Sequence, residues 1–327
     1  MKANHITALL VLASLFSCTH ETDLNRFKDS DYEDIVTLNS IITPDSTISI
    51  VATKPYFFSD VHNEPIFVDD LKIELWINGE YRGDMTYDKQ QSRYCSTIRP
   101  SCGDTISFFT GYHNKPVTAT DVVPQKVVIE DISAERQGPM HIFGDNDYMI
   151  TYYVTFSDNP NDENYYFIAY DQYEGSVDTW MGQKDYSYEF VFQQLAQTIN
   201  SSVPGWEPYS PKGLPFCDHG INGTTHTLIL KETVQVSPLI DIDKWTSMPR
   251  GFRLFAISKP YYNYLISLLC SDTSDDDNNI HSGMIDLGIA EPSKIYCNIG
   301  GGLGILGCYT CDYKSIDVIK ELGAFSK

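Results

Sequence analysis

Residues 71–87 carry the pattern of a β-hairpin. From Leu71 to Ile77 the apolar side chains occupy every second position, a period that predicts a half-buried strand. Asn78-Gly79 follows directly, and a second extended run continues from Glu80 to Tyr87. Both central residues of a type I′ turn need positive φ, so Asn-Gly between two extended runs is a strong hairpin signal. This part of the chain is therefore predicted to form antiparallel β-structure.

Other extended runs surround this hairpin. They are Thr47–Val51, Thr105–Tyr112, Val117–Val123 and Lys126–Ile132. Strands that are short, amphipathic and separated by turn signals are typical of a sandwich of about seven strands. We therefore predict a mainly β protein whose first domain, residues 35–124, is an immunoglobulin-like or transthyretin-like β-sandwich.

Residues 125–327 are predicted to form a larger β-rich domain with one or two short helices. The clearest predicted strands are Tyr148–Phe156, Tyr165–Tyr173, Thr225–Val236, Phe252–Ile257 and Ile295–Ile299. Segment Val203–Asp218 holds four Pro and two Gly and is predicted to be a long surface loop.

Two segments of this second domain favour helix over strand. Ser187–Ile199 can form one amphipathic helix, and Ser258–Leu269 is the better case. Ser258 is a suitable N-cap, and Pro260 suits an early helical position because its missing N–H is not needed there.

The N-terminus has the pattern of a bacterial lipoprotein signal. Lys2 precedes an apolar run from Ile6 to Phe16, which is shorter than the about 20 residues of a spanning helix. Ser17 then precedes Cys18, as in a lipobox, although Phe16 is larger than usual. We predict a signal peptide over residues 1–17 and acylation of Cys18, which would anchor the chain to the lipid bilayer. The alternative is an ordinary cleaved signal with a chance cysteine.

Residues 18–34 are predicted to be a flexible tether. Glu21, Asp23, Asp29 and Asp31 make this segment acidic, which resembles the surface-export signal of Bacteroidota-type lipoproteins. We therefore expect an outer-membrane location with the protein facing the cell exterior.

The overall composition excludes some functions. With 42% hydrophobic residues the chain is too apolar to be disordered, and its net charge of −21 argues against nucleic acid as a partner. A basic stripe that could follow a phosphate backbone is not visible.

The motifs of common enzymes and cofactor sites are missing or out of context. Gly302–Gly307 matches GxGxxG, but β-prone residues follow it, so a glycine-rich bend between close strands is predicted instead of a nucleotide site. Two acidic runs, Asp158–Glu163 and Asp272–Asp277, lack the EF-hand pattern, and whether calcium binds them stays open. We predict no cofactor, no metal centre and no catalytic residue.

Seven of the eight cysteines remain after Cys18 is assigned to lipid. Cys95 and Cys102 flank a turn signal and are predicted to form a disulfide, since thiols outside the cytoplasm tend to pair. Cys308 and Cys311 form a CxxC, but the helix that a redox CxxC needs is not evident. A zinc site that adds Cys297 to this pair would lack a fourth ligand.

Five stretches spread over the chain carry a resemblance to a known family. They are Leu38–Val51, Phe156–Asp158 with Asn164–Tyr166, Phe216–His219 with Gly223, Ile257-Ser258 with Tyr261–Leu265, and Glu291–Ile299 running into Gly301–Gly307. Together they resemble the domain-of-unknown-function 4249 family (DUF4249) of Bacteroidota outer-membrane lipoproteins. The resemblance implies a lipoprotein often encoded near a TonB-dependent transporter, and it implies no catalytic residue.

The chain departs from the family pattern at two cysteines. Cys297 and Cys308 stand where Ser and a small residue are usual, and they bracket the glycine bend. A disulfide between them is a further prediction, because two adjacent strands would meet the geometric requirement.

These observations favour a non-enzymatic accessory lipoprotein that binds a TonB-dependent transporter, an unknown small ligand, or both. One alternative is a surface hydrolase of glycans or peptides, with carboxylates in a cleft of the second domain. Another is a structural protein of the envelope.

Overall fold

The computed structural model describes residues 35–55, 64–141, 147–172, 182–198, 213–235, 249–274 and 294–323. In this part of the chain the strands are β1 (Thr37–Ile42), β2 (Ser49–Thr53), β3 (Glu74–Ile77), β4 (Glu80–Asp84), β5 (Thr86–Asp88), β6 (Arg93–Cys95), β7 (Thr105–Tyr112), β8 (Lys115–Val122), β9 (Ile129–Met140), β10 (Asp147–Ser157), β11 (Tyr165–Gln172), β12 (Gly182–Asp185), β13 (Gly213–Cys217), β14 (Thr225–Gln235), β15 (Arg250–Ile257) and β16 (Leu303–Ile316). The helices are α1 (Phe190–Thr198), α2 (Lys259–Ser274) and α3 (Val318–Leu322). The prediction of a mainly β protein is confirmed, and its helices are few: three in the described residues, where one or two were predicted.

The strands form three sheets. One has eight strands in the order β13-β11-β15-β16-β1-β2-β6-β5, and the other two have the orders β12-β14-β10-β9 and β4-β3-β7-β8. In the large sheet, β16 lies antiparallel to β15 and parallel to β1, with Thr37 opposite Leu303 and Ile42 opposite Cys308. The predicted ranges 35–124 and 125–327 therefore share one sheet, and the domain division itself stays a prediction.

Two hydrophobic cores lie on this framework. The first is built from residues between Val36 and Val123, together with Ile299, Leu306 and Cys308. The second is built from residues between Val127 and Val318. Strand β16 contributes to both, because its N-terminal half packs on the first core and Ile316 packs on the second. This single strand thus joins the two cores into one sheet.

Local sequence signals behave as expected at the hairpin and at α2. Asn78 and Gly79 have φ of 55° and 78°, as a type I′ turn requires, and they connect β3 to β4. Ser258 caps α2, since its Oγ accepts a hydrogen bond from the N–H of Tyr261 at 3.4 Å. Among the described residues, none of the helices has the length and apolar character needed to cross a bilayer.

Two local predictions are wrong. Residues 295–299 are not a strand; they form an irregular segment that leads into the glycines, and the strand begins at Leu303. Within the predicted loop Val203–Asp218, residues Gly213–Cys217 form β13 on the edge of the large sheet, while 203–212 lie outside the described residues.

Candidate functional site

Two of the stretches that carry the resemblance meet where β15 ends and β16 continues with only β1 beside it. Strand β15 pairs with β16 as far as Ile257, opposite Tyr309. Beyond that point Ser258 closes the ladder: its N–H donates to the carbonyl of Cys308 at 2.8 Å, and its Oγ accepts from the N–H of Cys308 at 3.1 Å. Ser258 therefore follows the last residue of β15, caps α2 and provides hydrogen-bond partners for the N–H and the carbonyl of Cys308 at the edge of β16.

Asn298 continues this pairing by two residues. Its Oδ1 accepts a hydrogen bond from the N–H of Leu306 at 2.9 Å, and its Nδ2 donates to the carbonyl of Leu306 at 2.8 Å. A side-chain amide both donates and accepts, so it can replace the backbone of a missing strand. Asn298 thereby supplies hydrogen-bond partners to the edge of β16 that β15 does not reach.

Asp121 ties this edge to the N-terminal sheet. The Oγ of Ser258 donates to Oδ2 of Asp121 at 2.5 Å, and the N–H of Val122 donates to Oδ1 at 2.8 Å. Asp121 is only 6% exposed, and this burial raises the pKa of its carboxyl group to about 6. Burial next to the same carboxyl group raises the pKa of the Cys308 thiol well above its ordinary value. We call Asp121, Ser258, Asn298 and Cys308 the seam cluster.

The chemistry available to the seam cluster is limited by its hydrogen bonds. The hydroxyl of Ser258 donates its proton to Asp121 and accepts from the N–H groups of Cys308 and Tyr261, so its lone pairs are occupied. Cys308 is fully buried, and its raised pKa keeps the thiol protonated. These residues join secondary-structure elements and are not arranged as a nucleophile with its base.

The glycines before and within β16 are required by close backbone approach. Gly300 exchanges two hydrogen bonds with Thr118 of β8, at 2.9 and 2.8 Å. A Cβ at Gly301 would lie 2.1 Å from the carbonyl oxygen of Pro116, and one at Gly304 would lie 2.1 Å from that of Leu38. The GxGxxG spacing thus belongs to a bend that passes into a strand, where a helix would be needed to hold a dinucleotide.

A second polar cluster joins two other family stretches. Asp158 accepts hydrogen bonds from the hydroxyl of Tyr166 at 2.5 Å and from the N–H of Gly223 at 2.7 Å. Asp218 accepts from the N–H of Asn164 at 2.8 Å, and burial raises its pKa. These bonds fasten the ends of β10, β11, β13 and β14 to one another. Both oxygens of Asp158 are therefore engaged by the protein itself.

Glu189 and His226 form a third polar contact, on the second core. Oε2 of Glu189 accepts from the N–H of Ile229 at 2.8 Å, beyond the point where β12 leaves the edge of β14. Oε1 lies 3.0 Å from Nε2 of His226. As at Asn298, a side chain here satisfies a strand edge that the neighbouring strand does not reach.

The cysteines correct the disulfide predictions. Cys95, Cys102, Cys297 and Cys308 are free thiols, so neither predicted bond is formed. Cys95 is held in β6 between Ser49 and Thr86, whereas Cys102 is exposed in the following turn.

The sulfur of Cys297 lies against its own bend, accepting from the N–H of Ile299 at 3.4 Å, while Cys308 faces Asp121. Cys308 and Cys311 are three residues apart in one strand and so point to opposite faces, which prevents a dithiol or a shared zinc ion.

Other predicted site residues lie elsewhere. Cys18 and the tether 18–34 are outside the described residues. Of the acidic runs, 158–163 is described, whereas 275–277 is not. Within the described ranges the His, Cys, Asp and Glu side chains form no group of three or more that could hold a metal ion.

Sequence reasoning missed the roles of Asp121 and Asn298. For Asp121 a signal was present, because it occupies an inward position of an alternating strand, in line with the buried Val117, Ala119 and Val123. A carboxylate on an apolar face indicates a buried hydrogen-bond partner. For Asn298 the irregular segment around it gives no such periodic signal.

Three solved structures show a distant likeness to this chain. A putative membrane-anchored protein of Corynebacterium diphtheriae is 11% identical over 69% of this chain and 55% of its own, with a TM-score of 0.21. A glycosyl hydrolase family 2 member of Bacteroides cellulosilyticus is 11% identical over 69% of this chain and 27% of its own, also with a TM-score of 0.21.

The collagen-binding domain of the Erysipelothrix rhusiopathiae surface protein RspB is 10% identical over 88% of this chain and 99% of its own, with a TM-score of 0.18. This chain thus spans about half of the first of these proteins and about a quarter of the second.

Comparison by sequence gives a clear result. The search of curated proteins finds no match. The family profile described as "Domain of unknown function (DUF4249)" matches residues 22–315, nearly the whole chain. Ser258 and Asn298 of the seam cluster, and all the residues of the Asp158–Asp218 cluster, lie in stretches that carry the resemblance. The chain belongs to the DUF4249 family.

Proposed function

We propose that this protein is an outer-membrane lipoprotein, anchored through acylated Cys18 and facing the cell exterior, that acts without catalysis as a partner of a TonB-dependent transporter. The lipobox before Cys18 and the acidic tether of residues 18–34 support the anchor and its placement. The family resemblance supports the transporter partnership. The transporter, a small ligand, or both would be what the folded part binds.

One observation favours binding over catalysis. Three polar side chains at the clusters described above are engaged by backbone groups: Ser258 by Cys308, Asn298 by Leu306, and Asp158 by Gly223. Side chains used in this way stiffen strand edges, and their lone pairs and protons are not available to a substrate. A rigid sheet that joins two cores is suited to a protein that binds a partner through its surface.

The test is recovery of the partner from native membranes. The chain would carry a C-terminal tag and be purified in a mild detergent, beside a Cys18→Ala variant as the matched control. We expect the wild-type chain to bring down one large β-barrel transporter in near-equal amount. The Cys18→Ala variant should lose both the lipid, seen as a mass difference, and the membrane fraction.

Two results would overturn the proposal. Recovery of the acylated chain alone, after crosslinking as well as without it, would remove the partnership. Hydrolysis of a glycan or peptide by the purified chain would replace the non-catalytic role with the hydrolase alternative. In that case Glu189→Gln would be the first variant to examine, because its carboxylate contacts His226.

A further inference from the structure

The outer face of the sheet β4-β3-β7-β8 carries three neighbouring aromatic rings. Trp76 on β3 lies between Tyr81 on β4 and Phe109 on β7, with ring centroids 5.7 and 5.8 Å apart. Tyr81 is 50% exposed and Phe109 is 42% exposed, while Trp76 is partly exposed. We call these three residues the aromatic platform.

These three rings are not part of the first hydrophobic core. The opposite face of the same strands places Leu75, Ile77, Ile106 and Phe108 in the first core, each nearly fully buried. Side chains on the outer face alternate with them and lie toward solvent. Large apolar side chains that cluster on a solvent-facing sheet mark a binding surface more often than a structural need.

Polar groups border the platform and bond to it. Nε1 of Trp76 donates to Glu74 at 3.3 Å, and the hydroxyl of Tyr81 donates to Asp84 at 2.8 Å. Nζ of Lys72 lies 3.4 Å from Glu74 and 3.6 Å from Asp84. The platform is thus bordered at one end by two partly exposed carboxylates and an ammonium group, whose remaining lone pairs and protons face solvent.

Hydroxyl groups continue the polar border on the other side. The hydroxyls of Ser107 and Thr120 lie 2.9 Å apart and are exposed, and Ser107 stands opposite Trp76 in the ladder. The face therefore offers apolar ring surfaces flanked by carboxylate, ammonium and hydroxyl groups. Aromatic side chains combined with a small number of orienting polar groups are the side-chain types that line ligand sites.

The charges decide which ligand fits. A net charge of −21 repels nucleic acid, anionic lipid and acidic polysaccharides. Glu74 and Asp84 beside the rings are partly exposed, so their carboxylate oxygens can accept hydrogen bonds from hydroxyl groups and would repel an anionic group. An uncharged sugar chain satisfies both features, because its C–H faces pack on aromatic rings while its hydroxyls bond to carboxylates and to Ser or Thr hydroxyls.

We propose that the aromatic platform binds a neutral saccharide chain through Trp76, Tyr81 and Phe109, with Glu74 and Asp84 accepting hydrogen bonds from its hydroxyls. This inference goes beyond the transporter partnership and does not depend on it. It assigns a binding surface to the N-terminal part of the chain, away from the seam cluster.

The test is affinity electrophoresis of the detergent-solubilised full chain in gels that contain neutral glucans, xylan or mannan, with heparin as an anionic polysaccharide. We expect retardation by at least one neutral polysaccharide and none by heparin. Trp76→Ala should weaken that binding about tenfold or more, and Phe109→Ser should weaken it as well. Glu74→Gln should weaken binding less, since an amide oxygen still accepts a hydrogen bond.

The matched control is Tyr313→Ala. Tyr313 is 47% exposed on the large sheet, outside the platform, so its loss should leave binding unchanged. Phe109→Ser removes an exposed side chain and keeps the core, which makes it the second variant if Trp76→Ala fails to fold.

Three outcomes would overturn the proposal. They are absence of retardation by every neutral polysaccharide, equal binding by wild type and both platform variants, and loss of transporter co-purification in Trp76→Ala without any saccharide binding. The last outcome would assign the face to a protein partner instead. Because the saccharide assay contains no transporter, its failure and a failure of the transporter partnership can be told apart.

Discussion

Asp121 couples the stability of this fold to pH, and the substitution Asp121→Asn isolates the coupling. Its carboxyl group is almost fully buried in the seam cluster, where burial raises its pKa to about 6. The hydrogen bonds from Ser258 and Val122 lower the pKa, but by less than burial raises it. The folded protein therefore binds this proton more tightly than the unfolded chain does.

The sign and size of the effect follow from that difference. The ordinary pKa of the group is 3.8 and its pKa in the fold is about 6. At about 1.4 kcal/mol for each pKa unit, the coupling amounts to about 3 kcal/mol. Because the folded pKa is raised, this stability is fully present below about pH 4 and is lost as pH rises through about 6.

The assay is urea unfolding of wild type and Asp121→Asn at several pH values between about 4 and about 7.5. We expect the stability of wild type to fall, relative to Asp121→Asn, by up to about 3 kcal/mol over this range. Asp70→Asn makes the same charge change on an exposed loop and should give a profile parallel to wild type.

Parallel pH profiles for wild type and Asp121→Asn would refute the reasoning. A rise of wild-type stability relative to the variant between pH 4 and 7 would contradict it more strongly. Either result would mean that the carboxyl group is hydrated or that its hydrogen bonds outweigh burial.

Three further substitutions test the strand edges and the second core, each by the free energy of unfolding in urea. Gly304→Ala should lower the free energy of unfolding by at least about 3 kcal/mol more than Gly83→Ala does. Both glycines have positive φ, but of the two only Gly304 has a carbonyl oxygen where the added Cβ would lie. Equal losses of stability in the two variants would contradict this reasoning. Asn298→Leu should cost about 2–4 kcal/mol, because it leaves two backbone groups of β16 unpaired, and a cost below about 1 kcal/mol would show that water replaces them. Glu232→Gln should cost about 3–5 kcal/mol, since Arg250 would keep a buried charge without its carboxylate 3.2 Å away, and a neutral result would argue against the ion pair.

Much of the local structure could be predicted from the sequence. The period of two and the Asn78-Gly79 turn predicted the β3–β4 hairpin, and Ser258 with Pro260 predicted the start of α2. These features succeed because turn geometry and capping depend on residues within a few positions of each other. The family resemblance likewise rests on short stretches and is confirmed by the match over residues 22–315.

The long-range features were decided by the tertiary structure. The parallel pairing of β1 with β16 joins residues far apart in the chain, and no local pattern specifies such a partner. The same pairing leaves an edge of β16 that Asn298 and Ser258 complete, so their roles exist only once the strands have met.

The cysteines also show that local sequence does not determine which side chains meet. Spacing alone allowed Cys297 and Cys308 to pair, but the assembled sheet turns Cys308 toward Asp121 in the first core. The alternation of side chains along β16 likewise separates Cys308 from Cys311. Sequence determined most of the segments that extend, turn and cap. The three-dimensional arrangement of the strands decided which side chains meet, because register and face are set by partners that the local sequence does not name.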